Sequence, residues 1–158
     1  MKNLKFLGLC LACFIVCARV SAQNKVPINE PDLKKPRLFA ELPDRIAFNI
    51  TEVQNLFAST TGSGKQVRIG LGDRQTAGLN GTIISDDSKY NNTIRTLIIR
   101  STNFSGATLT LSSFTQPDGT VVYSGRIISF KHADLYELEK QNDQYVWVKK
   151  NFNDLVNE

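Results

Sequence analysis

Beyond residue 17 the chain contains no cysteine: Cys10, Cys13 and Cys17 are the only three. Everything after them forms no disulfide and supplies no thiolate nucleophile or thiolate metal ligand. Histidine occurs once, as His132, and a zinc site built from one imidazole and carboxylates alone is unusual. Charge of one sign is also lacking. Of 19 basic residues against 15 acidic ones, Lys2, Lys5 and Arg19 lie in the first 22 positions, which leaves 16 to balance the 15. Near-neutrality of that kind excludes a strong electrostatic pull toward nucleic acid or an anionic membrane. No Gly-x-Ser-x-Gly elbow is present to join His132 in a hydrolase triad.

A long hydrophobic run is missing too. The longest, 6–17, is shorter than the roughly 20 residues a bilayer requires. It follows Lys2 and Lys5 and leads to Val20-Ser21-Ala22, the small residues that signal peptidase reads. The expectation is a secretory signal over 1–22, cut before Gln23, in a bacterial protein that works in the periplasm or outside the cell. Leu11-Ala12-Cys13 partly imitates a lipidation motif, but Cys10 stands where an aliphatic residue belongs and the apolar run continues, so no lipid is expected. Residues 23–37 are polar and hold Pro27, Pro31 and Pro36, the composition of an extended, flexible arm. Residues 38–158, about 120, are enough for a single domain with its own core.

What is present is a rhythm of strands. Gln116-Pro117-Asp118-Gly119 carries turn chemistry, because proline presets φ, aspartate bonds the chain beyond it and glycine accepts a left-handed conformation. Runs at 107–116 and 120–130 flank it, and two more, 134–140 and 144–150, surround a turn at 141–144: four antiparallel strands in a meander. Upstream, 65–71 alternates with Val67, Ile69 and Leu71 on one face, and 93–100 reads as a central strand. Gly70, Gly72, Gly78 and Gly81 bracket a turn-rich region before Thr82-Ile83-Ile84, and Ser85 to Asn92 reads as a polar loop. Gly125, inside a long strand, marks a bulge or a barrel corner. The one convincing helix starts at Asn49 or Thr51 and ends near Ser59, with Val53, Leu56 and Phe57 on one side. The fold class is therefore all-β, mainly antiparallel, with one short N-terminal helix, in a small barrel or sandwich of six to seven strands.

Several chemical motifs fail on their spacing. Gly62-Ser63-Gly64-Lys65 imitates a phosphate loop, yet Ser59 and Gln66 stand where glycine and a hydroxyl are required, and the segment passes from helix to strand. Glu137 and Glu139 share a strand face about 7 Å apart, but glycosidase carboxylates flank a cleft from different elements. Tyr136, Tyr145 and Trp147 on neighbouring strands form either an exposed aromatic platform or core. Asn-x-Ser/Thr sites at Asn49, Asn80, Asn91 and Asn103 matter only in a glycosylating pathway.

Leu38-Phe39 and Leu42-Pro43, Gly119-Thr120 with Tyr123 and Gly125-Arg126-Ile127, Asp134 with Tyr136 and Leu138, and Tyr145 to Lys150 together resemble small exported proteins of Bacteroidota. The meander alone is similar to the β-rich pro-region of secreted zinc metalloproteases in that phylum. This chain has no His-Glu-x-x-His helix, so the likeness implies a stand-alone, pro-region-like binder or inhibitor, without protease activity. The expectation is a non-catalytic domain, needing no cofactor or metal, that binds an unidentified macromolecule or surface as a monomer. The alternatives are a structural component of the cell envelope and a hydrolase of unrecognised type. The expected binding surface is the end of the meander: Lys131, His132, Asp134 and Tyr136, with Trp147 if exposed. Loops on a rigid scaffold carry binding groups, and histidine, both charges and an aromatic lie close together here.

Overall fold

In the computed structural model, residues 36–59, 62–72 and 78–151 are described, so the expected signal and most of the expected arm lie outside them. The elements run β1 (Arg45–Ala47), α1 (Ile50–Ser59), β2 (Gln66–Gly70), β3 (Gly78–Lys89), β4 (Ile94–Ser101), β5 (Thr108–Thr115), β6 (Val121–Ser129), β7 (Asp134–Gln141) and β8 (Gln144–Asn151). All eight strands join one antiparallel sheet in the order β1-β8-β7-β6-β5-β4-β3-β2. The sheet curls into a half-barrel. Among the described residues no helix is long and apolar enough to cross a membrane.

The predicted turns close the hairpins as their chemistry requires. At 116–119 the Gly119 amide donates to Gln116 O at 2.9 Å, Thr120 N–H donates to Asp118 Oδ1 at 2.9 Å, and Gly119 has φ +84°. Asn142 and Asp143, both at positive φ, make the two-residue turn whose twist suits a hairpin. In α1 the cap is Asn49, whose Oδ1 accepts from Glu52 N–H at 3.1 Å; Val53, Leu56 and Phe57 are buried as expected.

Three expectations need correction. The count is eight strands because β1, three residues long, becomes a strand only by pairing with β8. The polar segment from Ser85 is strand, not loop. A bulge between Ile83 and Ser85 shifts the register, puts Ile84 out to solvent and turns Asp86 inward. There Asp86 meets Arg95 on β4, which donates from Nε and Nη2 at 2.9 and 2.8 Å. Arg95 also bonds Phe57 O and lies over the Phe57 ring, so the pair ties the end of α1 to the sheet.

Gly125 marks no bulge: β5 and β6 pair without interruption from Thr115↔Val121 to Thr108↔Ile128. Its lack of a side chain makes room, since a Cβ there would meet Trp147 Cη2 at 2.9 Å and Leu111 Cδ1 at 3.0 Å. A departure does begin beside it. β6 pairs with β7 only from Arg126↔Glu137 to Ser129↔Asp134, so the outer halves of the two strands part. The Tyr145 hydroxyl enters that opening and accepts from Tyr123 N–H at 3.0 Å. Rings of Phe48, Tyr123, Tyr145 and Trp147 pack there with centroids 5.6 to 6.0 Å apart. Aromatic packing thus replaces missing ladder bonds on the core side of the sheet.

Candidate functional site

The turn between β6 and β7 and the two final strands bring His132, Asp134 and Tyr136 to one end of the sheet. There they grip a strap of the chain's own backbone, residues 36–44. His132 Nδ1 lies 2.9 Å from Pro36 O. The Asp134 carboxylate accepts from the amides of Leu38 and, at 3.4 Å, Phe39. Tyr136 donates its hydroxyl hydrogen to Pro43 O at 2.6 Å. Arg37 donates to Ala133 O and sits 3.8 Å from Asp134. Pro36 and Arg37, assigned by composition to the arm, therefore already take part in the domain's bonding.

Burial explains why these side chains bond inward. Asp134 is 5% exposed and Tyr136 fully buried, and a carboxylate taken out of water must find donors. The strap's otherwise idle amides supply them. Burial first, then the nearby carboxylates of Asp44 and Asp134, push the Tyr136 phenol well above its ordinary pKa of 10.0, so it remains a donor. Lys149, on β8, donates to Leu42 O at 2.7 Å, lies 3.5 Å from Asp44 and sits 5.7 Å from the centre of the Tyr136 ring.

Lys131 is exposed in the turn. Trp147 is no part of the surface: it is fully buried against Phe48 and Gly125. Of the two alternatives for the aromatics, platform or core, the structure has the core. Tyr136 and Trp147 are core, and Tyr145 is half-buried with its hydroxyl committed to Tyr123. The physical reason is the slot opened by Gly125, which admits the indole and turns the ring away from water.

A groove of about 340 Å³ remains beside the strap, lined by Arg37, Phe39, Ala40, Asp44, Asp134, Lys149 and Lys150. Of these the sequence singled out only Asp134. The Lys149-Lys150 pair closing the last strand was a visible signal, whereas Arg37 and Asp44 meet β7 and β8 only after the chain folds back. Asp44 is the most open of the charged groups, its side chain 87% exposed.

The rejected motifs remain unsupported. Gly62 N–H donates to the Asp86 carboxylate at 3.1 Å, where a phosphate loop would need a free amide. Glu137 pairs with Arg126 at 2.9 Å, and Glu139 with Lys150 and, at 2.7 Å, Gln141. Among the described residues no three histidines, cysteines or carboxylates are grouped to hold a metal ion. No known protein family, curated protein or solved structure matches this chain.

Proposed function

We propose that this chain is an exported, non-catalytic β-domain that binds a macromolecular partner, an extended polypeptide, at the groove beside its strap. The observation that carries this reading is the groove itself, a recess of about 340 Å³ lined by the cations Arg37, Lys149 and Lys150, the carboxylates Asp44 and Asp134, and Phe39 and Ala40. An extended chain presents both backbone polarities and alternating side chains, so it can meet ammonium, carboxylate and apolar surface in sequence. The residues beneath are held rigid by the strap's hydrogen bonds, which reduces the entropic cost of binding. The domain reaches this setting by export and cleavage before Gln23.

The test uses the exported protein, its intact mass first confirming a start at Gln23, as bait in its own secretome. Alanine at His132, Asp134 or Tyr136 would disturb the strap, so the informative variants are Asp44→Ala and Lys150→Ala at the groove's rim. Each should weaken capture of a partner at least tenfold, about 1.4 kcal/mol, with the urea midpoint little changed for exposed Asp44. Capture that is equal for wild type and both variants overturns the groove as the binding site.

A further inference from the structure

Both outer margins of the sheet are guarded. β1 offers only three residues. α1 lies along β2, where Glu52 Oε1 accepts from Gly70 N–H at 3.0 Å and Lys65 Nζ donates to Ser59 O at 2.6 Å; a helix so placed blunts an edge strand. The split between the outer halves of β6 and β7 is a third pair of strand edges, inside the sheet. Hydrogen-bond parity shows which groups face it, because each residue of an antiparallel ladder turns its N–H and C=O to the same side and neighbours alternate. On β6, Tyr123 turns its N–H toward β7, to the Tyr145 hydroxyl, while Thr120 O accepts from Gln116 N–H across the β5–β6 turn. Val121 therefore turns with Tyr123. On β8, Tyr145 O accepts from Phe48 N–H and Lys149 N–H donates to Asp44 O, both on the β1 side. Lys140, opposite Tyr145 in the ladder, therefore turns its N–H and C=O away from β8 and into the split.

Two lengths of strand backbone thus face each other without pairing, since their ladder begins only at Arg126↔Glu137. The mouth of the split is open to water: Val121 is 37% exposed and the Lys140 side chain 54% exposed. Within it the Tyr145 hydroxyl oxygen accepts the Tyr123 N–H at 3.0 Å, the part that a carbonyl of a neighbouring strand would otherwise play.

We infer that this split takes the end of an extended strand from a partner polypeptide. Backbone donors and acceptors on two facing strands match an extended main chain, whereas a helix spends its own backbone groups internally. The ladder at Arg126↔Glu137 closes the inner end, so the guest enters by a terminus. The stretch from Val121 to Gly125 is about 13 Å long and accommodates about four residues. Side chains on the guest's inner face meet the rings of Tyr123, Tyr145 and Phe48, which selects apolar residues there. Those on its outer face lie level with exposed Ser124, which suits polar ones. A carbonyl of the guest takes the Tyr123 N–H and displaces the Tyr145 hydroxyl, so Tyr145 is a built-in competitor. The split lies at the Lys140 end of β7 and the strap groove at the Asp134 end, so either site can fail without the other.

The probe is a phage-displayed library of random twelve-residue peptides selected against the exported protein, with the enriched peptides then synthesised. They should alternate apolar and polar residues, and on titration should shift the backbone amide resonances of Tyr123 and Lys140. Val121→Pro removes one N–H from the split at the first residue of β6, a position that tolerates proline and whose N–H takes no part in the β5 ladder. It should weaken binding about fivefold, the worth of one backbone hydrogen bond, with the urea midpoint little changed. Tyr145→Phe removes the competing hydroxyl and should tighten binding by a similar factor. No enriched peptide overturns the inference, as does binding that Val121→Pro leaves intact or that Tyr145→Phe weakens. Peptides that shift instead the amides of Arg37, Lys149 and Lys150 overturn it while supporting the strap groove. Self-association in sedimentation velocity that Val121→Pro abolishes also overturns it, and assigns the split to a second copy.

Discussion

Adding one methyl group at Gly125 tests the packing account of the core. A Cβ built there lies 2.9 Å from Trp147 Cη2 and 3.0 Å from both Leu111 Cδ1 and Thr110 O. Ordinary contacts of this kind begin near 3.5 Å, so each neighbour would have to retreat by about half an ångström. Thr110 O belongs to a strand backbone and cannot retreat alone, and the indole is walled in by Phe48. Overpacking of this kind costs about 1–3 kcal/mol. With a urea slope of about 2 kcal/mol per molar for a domain of this size, a cost of about 2 kcal/mol lowers the midpoint by roughly 1 M in Gly125→Ala. Trp147 is the chain's only tryptophan, so its native emission should also shift as the ring is displaced. Trp147→Phe removes the atom in closest contact. In the double variant the two losses should therefore sum to less than additivity predicts. If glycine served a bend in the strand, its replacement would cost the same whatever stands at 147. Strict additivity, or a midpoint change under about 0.2 M, refutes the slot.

Two further perturbations probe the strap and the helix anchor. Asp134→Ala strips the amides of Leu38 and Phe39 of their acceptor, which should cost about 1–3 kcal/mol and speed hydrogen exchange at those two amides; unchanged exchange would mean the strap is held by other contacts. Arg95's hydrogen bonds hold the Asp86 carboxyl below its ordinary value of 3.8, against an opposing effect of burial. A lowered folded-state pKa contributes stability above pH 3.8 that is lost as pH falls through the folded value. The stability gap between wild type and Asp86→Asn should accordingly be constant near neutrality and shrink on acidification below about pH 4; a gap as wide at pH 2 as at pH 7 contradicts the pairing.

The meander was legible because its information is local: Pro117 to Gly119, Asn142 and Asp143 determine their turns without outside help, and Asn49 caps α1 within one turn of helix. β3 was not, because Ser85 to Ser88 gain a reason to be strand only from Arg95 and the bulge before it. The candidate site divides along the same line. His132, Asp134 and Tyr136 are near each other in sequence, and they do gather in space. Their partners lie more than ninety residues earlier, at 36–43, and no periodicity announces a strap. Whether Trp147 faces core or solvent was not legible for the converse reason: the slot that receives it belongs to Gly125, on a strand with which it does not pair.

The strap also imposes an order of events. Its bonds to Tyr136 and Lys149 join residues 93 and 107 positions apart, and β1 can add only to a β8 that already exists. A chain emerging from its amino terminus therefore exposes 36–47 first and secures them last, after the final hairpin has formed. Closing so long a loop is slow relative to hairpin formation. Throughout that interval the eight-residue edge of β8 is unpaired on one side, and β1 competes with any other extended segment within reach for the same row of backbone groups.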